Sequence, residues 1–154
     1  MTYHADGKLA TLADIAGRTI QYQYTSGKLI QVTNPFGHTV VYTYTAQGWL
    51  ATIKYQRGVT TISNTYDSQG RVIQQTDGRG YVTTFTYGTE GTYKKTTIGY
   101  PDGTSNDHLH SENNLLLMIR YPQGSVHYAY DDDMNRTQII DRNGNVTNFT
   151  YDTW

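Results

Sequence analysis

The run Tyr66-Asp67-Ser68-Gln69-Gly70-Arg71-Val72-Ile73-Gln74-Gln75-Thr76-Asp77-Gly78-Arg79-Gly80, continuing to Phe85-Thr86-Tyr87, decides the fold. A tyrosine opens it, glycines follow four and fourteen residues later, and a new tyrosine arrives at twenty-one. Outward from this run, Tyr3, Tyr24, Tyr44, Tyr66 and Tyr87 are separated by 21, 20, 22 and 21 residues, and Tyr130 and Tyr151 by 21. Tyr87 to Tyr130 is 43 residues, two repeats with His110 at the intervening position. Seven repeats therefore start near residues 3, 24, 44, 66, 87, 110 and 130. The second glycine is present in each of them as Gly17, Gly37, Gly58, Gly80, Gly103, Gly124 and Gly144. The first is Gly7, Gly27, Gly48, Gly70 or Gly91, and Asn114 and Met134 replace it in the last two. Self-similarity at roughly 20–50 residues is the signature of a solenoid, propeller or array.

Between the two glycines lie short β-branched segments such as Lys28-Leu29-Ile30-Gln31-Val32-Thr33, which read as strands. After the second glycine, Thr19-Ile20-Gln21-Tyr22-Gln23-Tyr24 alternates with period two, placing Ile20, Tyr22 and Tyr24 on one face to pack and the polar residues on the other to meet water. Asp6-Gly7, Asn34-Pro35-Phe36-Gly37, Asp67-Ser68-Gln69-Gly70, Asp102-Gly103 and Asn143-Gly144 supply the turns, with Asp or Asn bonding back to the backbone. Each repeat is thus a two-stranded antiparallel hairpin. The fold class is all-β: an array of about seven hairpins, some fourteen strands, in a curved or spiralling sheet, because open sheets rarely stay flat beyond ~10 strands. The aromatics two residues before each leading position (Tyr22, Tyr42, Phe85, Tyr128, Phe149) predict a ladder beside the leading tyrosines. Residues Gly88 to Ser125 carry two extra residues before Gly103 and the apolar run Leu115-Leu116-Leu117-Met118-Ile119, which predicts a local bulge or longer loop.

Composition agrees. The chain has 154 residues, with 15 Gly, 15 Tyr, 25 Thr and no Cys, and 16% is charged against roughly 25% in an average domain. A net charge of −1 offers no basic footprint for nucleic acid or anionic membrane. No run approaches the ~18 apolar residues of a membrane span, and the first thirty residues lack a signal-peptide core. The missing Cys excludes disulfides and thiolate chemistry without assigning a compartment.

Tyr66-Asp67 with its two glycines and closing Phe85-Thr86-Tyr87 resembles a YD repeat of the Rhs family, repeats also found in insecticidal toxin complex C components, wall-associated proteins and teneurins. Tyr130-Asp131, Arg142-Asn143-Gly144-Asn145-Val146-Thr147 and Tyr151-Asp152 match it too. Only Tyr66, Tyr130 and Tyr151 among the leading positions keep the Tyr-Asp pair. The resemblance implies a β-shell around a variable cargo, often a toxin, in polymorphic toxins and secretion-system effectors, and hence a secreted, exported or cell-surface location. Family shells often end in a self-cleaving region with Asp-Pro-x-x-Gly signatures. Asn34-Pro35-Phe36-Gly37, Tyr100-Pro101-Asp102-Gly103 and Tyr121-Pro122-Gln123-Gly124 all lack Asp before Pro, so that activity is not expected.

Other candidate sites yield to simpler readings. His108 and His110 on one strand face are too few ligands for a metal, and no cofactor is implied. Asp131-Asp132-Asp133 with Asn135 starts like a calcium loop, but Arg136 and Arg142 stand where its Gly and Glu belong. Gly78-Arg79-Gly80 lacks the following helix a phosphate loop needs. The Asn-x-Thr sites at Asn135, Asn145 and Asn148 are ordinary strand and turn residues. No Ser, His and Asp cluster suggests catalysis, so the chain is read as non-enzymatic. The expected function is one segment, residues 1–154, of a structural shell that encloses or presents a polypeptide, cut from a longer array and partnered by adjoining repeats and cargo. Exposed edge strands predict self-association of the isolated chain. The alternative is a carbohydrate- or protein-binding adhesion module, with Trp49 and Tyr55 as possible glycan contacts.

Overall fold

A computed structural model describes residues 1–56 and 59–152 as strands joined by short turns. The chain forms two compact units, Met1–Val82 and the residues from Thr83 onward. The first contains β1 (Thr2–Tyr3), β2 (Leu9–Ala13), β3 (Thr19–Thr25), β4 (Lys28–Thr33), β5 (Thr39–Tyr44), β6 (Leu50–Tyr55), β7 (Val59–Tyr66) and β8 (Val72–Asp77). The second contains β9 (Val82–Glu90), β10 (Tyr93–Gly99), β11 (Ser105–His110), β12 (Leu116–Tyr121), β13 (Gly124–Tyr130), β14 (Arg136–Ile140) and β15 (Val146–Asn148). Within each unit every strand pairs antiparallel with its neighbours in chain order, as connections this short require. The protein is all-β, built from antiparallel hairpin repeats.

One turn design serves both ends of the repeat. In Asp67–Arg71 the Asp67 amide donates to Arg71 O (2.9 Å) and the Gly70 amide donates to Asp67 O (3.1 Å). The Asp67 carboxylate accepts from the Gln69 and Arg71 amides, both at 2.9 Å, and Arg71 Nε donates to its second oxygen at 2.7 Å. This is a type I turn closed by a left-handed residue, a common three-residue hairpin loop. The same backbone pair recurs from His4, Asp14, Asn34, Thr45, Asp77, Tyr100, Ser111, Asp131 and Asp141. The residue that opens the turn is thus three before the glycine, His4 and Tyr100 in the Asp6-Gly7 and Asp102-Gly103 turns, within which the Asp6 and Asp102 carboxylates accept from the Lys8 and Thr104 amides. Asn114 (φ 64°) and Met134 (φ 66°) adopt the left-handed conformation where other repeats have glycine.

A second recurring device was not read from the sequence. At the leading aromatic of six described hairpins the register slips by one residue, for example Gln23↔Gln31 followed by Tyr24↔Leu29, leaving Ile30 as the extra residue. The slip recurs at Tyr3, Tyr44, Tyr66, His110 and Tyr130. The β9–β10 hairpin has none, and Tyr87 faces Thr96 in unbroken register. Its extra residues lengthen the two strands around a two-residue turn, Gly91-Thr92, instead of forming a longer loop.

The two faces differ. In the first unit Tyr22, Val32, Val40 and Tyr55 form one cross-strand row, and Thr43, Thr52, Ser63 and Thr76 form a row on the opposite face. The alternation predicted for Thr19–Tyr24 is present, but its apolar residues are only half-buried. Among the described residues Leu109 alone is fully buried, at 2% exposure. A single layer has no opposing surface to complete the burial. The expected ring-on-ring ladder is replaced by aromatic–aliphatic pairs: Tyr22 faces Val32, Tyr42 Ile53, Phe85 Ile98 and Tyr128 Ile139. Equivalent residues lie two strands apart, about 9.6 Å, so an aliphatic strand intervenes.

Candidate functional site

A register slip breaks the ladder and leaves a carbonyl in need of a donor. The tyrosine of the following repeat supplies it. Tyr44 Oη donates to Leu29 O (2.7 Å), Tyr66 Oη to Leu50 O (2.6 Å), Tyr130 Oη to Leu116 O (3.0 Å) and Tyr151 Oη to Arg136 O (2.9 Å). Each acceptor is the residue facing the previous leading aromatic. The repeats are therefore joined through a side chain where the strand ladder is short: β4 and β5 share three register pairs. The hairpin without a slip, β9–β10, is followed by the one leading position that is not tyrosine, His110. There the β10–β11 ladder runs through six pairs, Lys94↔His110 to Gly99↔Ser105.

The residue after the first glycine reaches the next repeat's tyrosine. Lys8 Nζ lies 5.9 Å from the Tyr24 ring centre, and Lys28 Nζ lies 5.1 Å from that of Tyr44 while donating to Gly48 O at 2.7 Å. Trp49 lies 5.3 Å from Tyr66 at 44°, with its indole pressed on Gly70, where an added Cβ would meet it at 2.8 Å. Only glycine satisfies both that approach and a φ of 81°. Trp49 and Tyr66 line an open cleft of about 560 Å³ with Thr45, Gln47, Asn64 and Asp67. Tyr55, 55% exposed, lines a different cleft with Val32, His38 and Val40. Trp49 immediately precedes β6 and Tyr55 ends it, roughly 20 Å apart along the strand. The described second glycines Gly17, Gly37, Gly80, Gly103 and Gly144 occupy positive-φ turn positions, Gly124 has a positive φ but opens strand β13, and Gly58 lies outside the described residues.

The second unit carries a charged group that no sequence motif announces. Arg120 Nη2 lies 2.7 Å from Glu90 Oε1, and its Nη1 lies 3.3 Å from Asp107 Oδ2. Lys95 bridges the same two carboxylates at 3.4 and 3.2 Å, and Thr97 Oγ1 donates to Asp107 at 2.6 Å. The Arg120 hydrogen bond, reinforced by Lys95, holds Glu90 at about 2. Asp107 is lowered chiefly by Thr97, and Arg120 and Lys95 are raised by their carboxylate partners. Four residues from four strands converge only through register, which spacing along the chain does not reveal.

His108 and His110 stack with ring centres 6.5 Å apart, and burial pushes the His108 imidazole below its ordinary value, with His110 adding to the effect. Among the described residues no group of three or more His, Cys, Asp or Glu side chains could hold a metal. Asp131 and Asp77 open ordinary turns.

Compared with known proteins, residues 38–152 match the sequence profile of the Teneurin YD-shell. The chain belongs to the YD-shell family. Among solved structures, the YD-shell chain is similar to the TcdB2–TccC3 complex, with a TM-score of 0.63 and 15% identity over 90% of this chain and 9% of that one. The same complex without its hypervariable C-terminal region gives 0.64 and 14%, and the TcdB2–TccC3–Cdc42 structure 0.62 and 14%, over the same shares of both chains. At such identity the likeness is one of fold, and this YD-shell segment spans under a tenth of those chains. A search of curated proteins returned no significant match. No helix among the described residues is long and apolar enough to cross a membrane, a statement about helices alone. The chain is a structural shell segment of the YD-repeat type.

Proposed function

We propose that this YD-shell segment is a non-catalytic part of a wall that encloses or presents a polypeptide, a toxin in the Rhs-like case, in a secreted or cell-surface protein. The observation that carries this reading is the tyrosine–carbonyl joint between repeats, bonded at 2.6–3.0 Å in four places. Such joints stabilise a single layer from neighbour to neighbour without a core, which suits a wall. Its partners in this reading are the adjoining repeats and the enclosed chain, and its unpaired edges favour self-association when the segment is isolated. In the full-length protein, limited proteolysis should spare the enclosed segment until the shell is opened by denaturant. A segment cleaved at the same rate with and without the shell would sink the proposal, and turnover in a hydrolase screen would overturn its non-catalytic part. The adhesion alternative rests on Trp49 and Tyr55. Because Trp49 is packed between Gly70 and Tyr66 and Tyr55 lines another cleft, the shell reading is preferred. Saturable glycan-array binding lost in Y55A would reverse that preference.

A further inference from the structure

We propose that β10–β12 form an acid-responsive section of the sheet, in which protonation of His108, stacked on His110 in the row that carries Lys94, loosens these strands while β13 and β14 stay paired. The inference goes beyond the shell reading and stands on the second unit's own geometry. Here alone among the described hairpins the register slip is absent from the preceding repeat and histidine replaces the joining tyrosine. The leading position here has no tyrosine hydroxyl to reach back to the previous repeat, so the long β10–β11 ladder and the groups on its two faces carry the junction.

On one face His110 is the direct ladder partner of Lys94, and His108 that of Thr96. Lys94 is held near the turn because its Nζ donates to Glu112 O and Asn114 Oδ1, both at 2.8 Å. A second positive charge in this row therefore meets a cation fixed in place. From β12, His108 faces Ile119 and His110 faces Leu116, neither of which titrates. Beyond Thr96 stands Tyr87 of β9, and beyond Ile119 stands Val126 of β13. Glu112 in the following turn and Asp107 on the strand are the nearby carboxylates. Asp107 draws His108 upward, but it lies on the opposite face, bound to Thr97, Lys95 and Arg120. Leu109, the fully buried side chain, sits between the two histidines in sequence and shares the Asp107 face, opposite Lys95 and Met118. Loosening this strand therefore also exposes the best-packed residue described.

The sign follows from burial. His108 is a base whose folded value lies below its unfolded value of 6.5, so its neutral form is the one the fold accommodates. Its contribution is fully present above pH 6.5 and is lost as pH falls through 6.5 toward the lowered folded value. The carboxylates respond later, because Glu90 stays ionised down to about 2.

Hydrogen-exchange mass spectrometry of the 154-residue chain, corrected for intrinsic rates, tests this between about pH 7.5 and 5.5. Peptides from Lys94–Tyr121 should lose protection by roughly tenfold relative to those covering β13 and β14. The double variant H108Q/H110Q should abolish that step, whereas E90Q should leave it in place. H110Y restores the residue of the other repeats and should shrink the step, providing a second readout if the double variant folds poorly. A wild-type chain with no selective loss, or a step that survives in both histidine variants, would overturn the proposal.

Discussion

The leading tyrosine has two functions in one side chain: a half-buried ring and a hydroxyl that satisfies a carbonyl of the previous repeat. Tyr44 Oη donates to Leu29 O at 2.7 Å, whereas Leu50 O receives both Tyr66 Oη at 2.6 Å and Asn64 Nδ2 at 3.1 Å. Tyr44→Phe should therefore cost about 1–2 kcal/mol, the penalty for an unsatisfied polar group, and Tyr66→Phe distinctly less. Urea denaturation of both variants checks the order, and equal losses would argue against the bond as the stabilising element. The phase of these tyrosines was legible in the sequence because any structural role repeated seven times must recur at one spacing. The acceptor was not legible, since hydrophobic alternation reports which face a residue occupies and is silent about register slips. The Glu90, Lys95, Asp107 and Arg120 group was hidden for the same reason, as its members meet only once four strands are aligned.

At the scale of the element, each hairpin is fixed by a turn that demands one left-handed residue. Met134 meets that demand at φ 66° while 56% exposed, so its side chain gains little in return. Met134→Gly should stabilise the chain by roughly 0.5–1 kcal/mol, the left-handed strain relieved less the added freedom of the unfolded glycine. Gly70→Ala should do the reverse and by more, because the new methyl meets both the strained φ and the Trp49 indole. Thermal melts of the two variants should move in opposite directions, and a shared direction would refute the turn argument. Turn positions were readable from Gly spacing, and Asp6 and Asp102 do bond back to the Lys8 and Thr104 amides, but the residue that opens each turn, His4 or Tyr100, carries no turn chemistry of its own to be read. The charged group adds an acid limb. Glu90 is lowered from 4.5 to about 2, so its contribution is present above pH 4.5 and is lost as pH falls from there toward 2. The melting temperature of E90Q should be lower than wild type at neutral pH and fall less steeply below pH 4.5. Parallel pH profiles would show that the Arg120 contact does not contribute.

For the whole molecule, the decisive quantity is surface. Within each unit the strands form one layer, and among the described residues Leu109 alone is buried. The surface left to water includes Tyr55 and Val59 of the first unit, which are ladder partners and are 55% and 53% exposed. The described edges are short: β1 has two residues and β15 three, each paired on one side only. Both features favour association, but through different surfaces. The isolated chain should show a mass by light scattering that rises with concentration. Val146→Pro removes an outward-facing edge N–H, since the alternate residue Phe149 donates inward to Thr137 O, and should reduce association if strand pairing drives it, whereas Tyr55→Ser with Val59→Ser should reduce it if the apolar face does. A strict monomer at every concentration would mean that the half-buried layer is self-sufficient and that the joints between repeats, rather than contact with another surface, account for its stability.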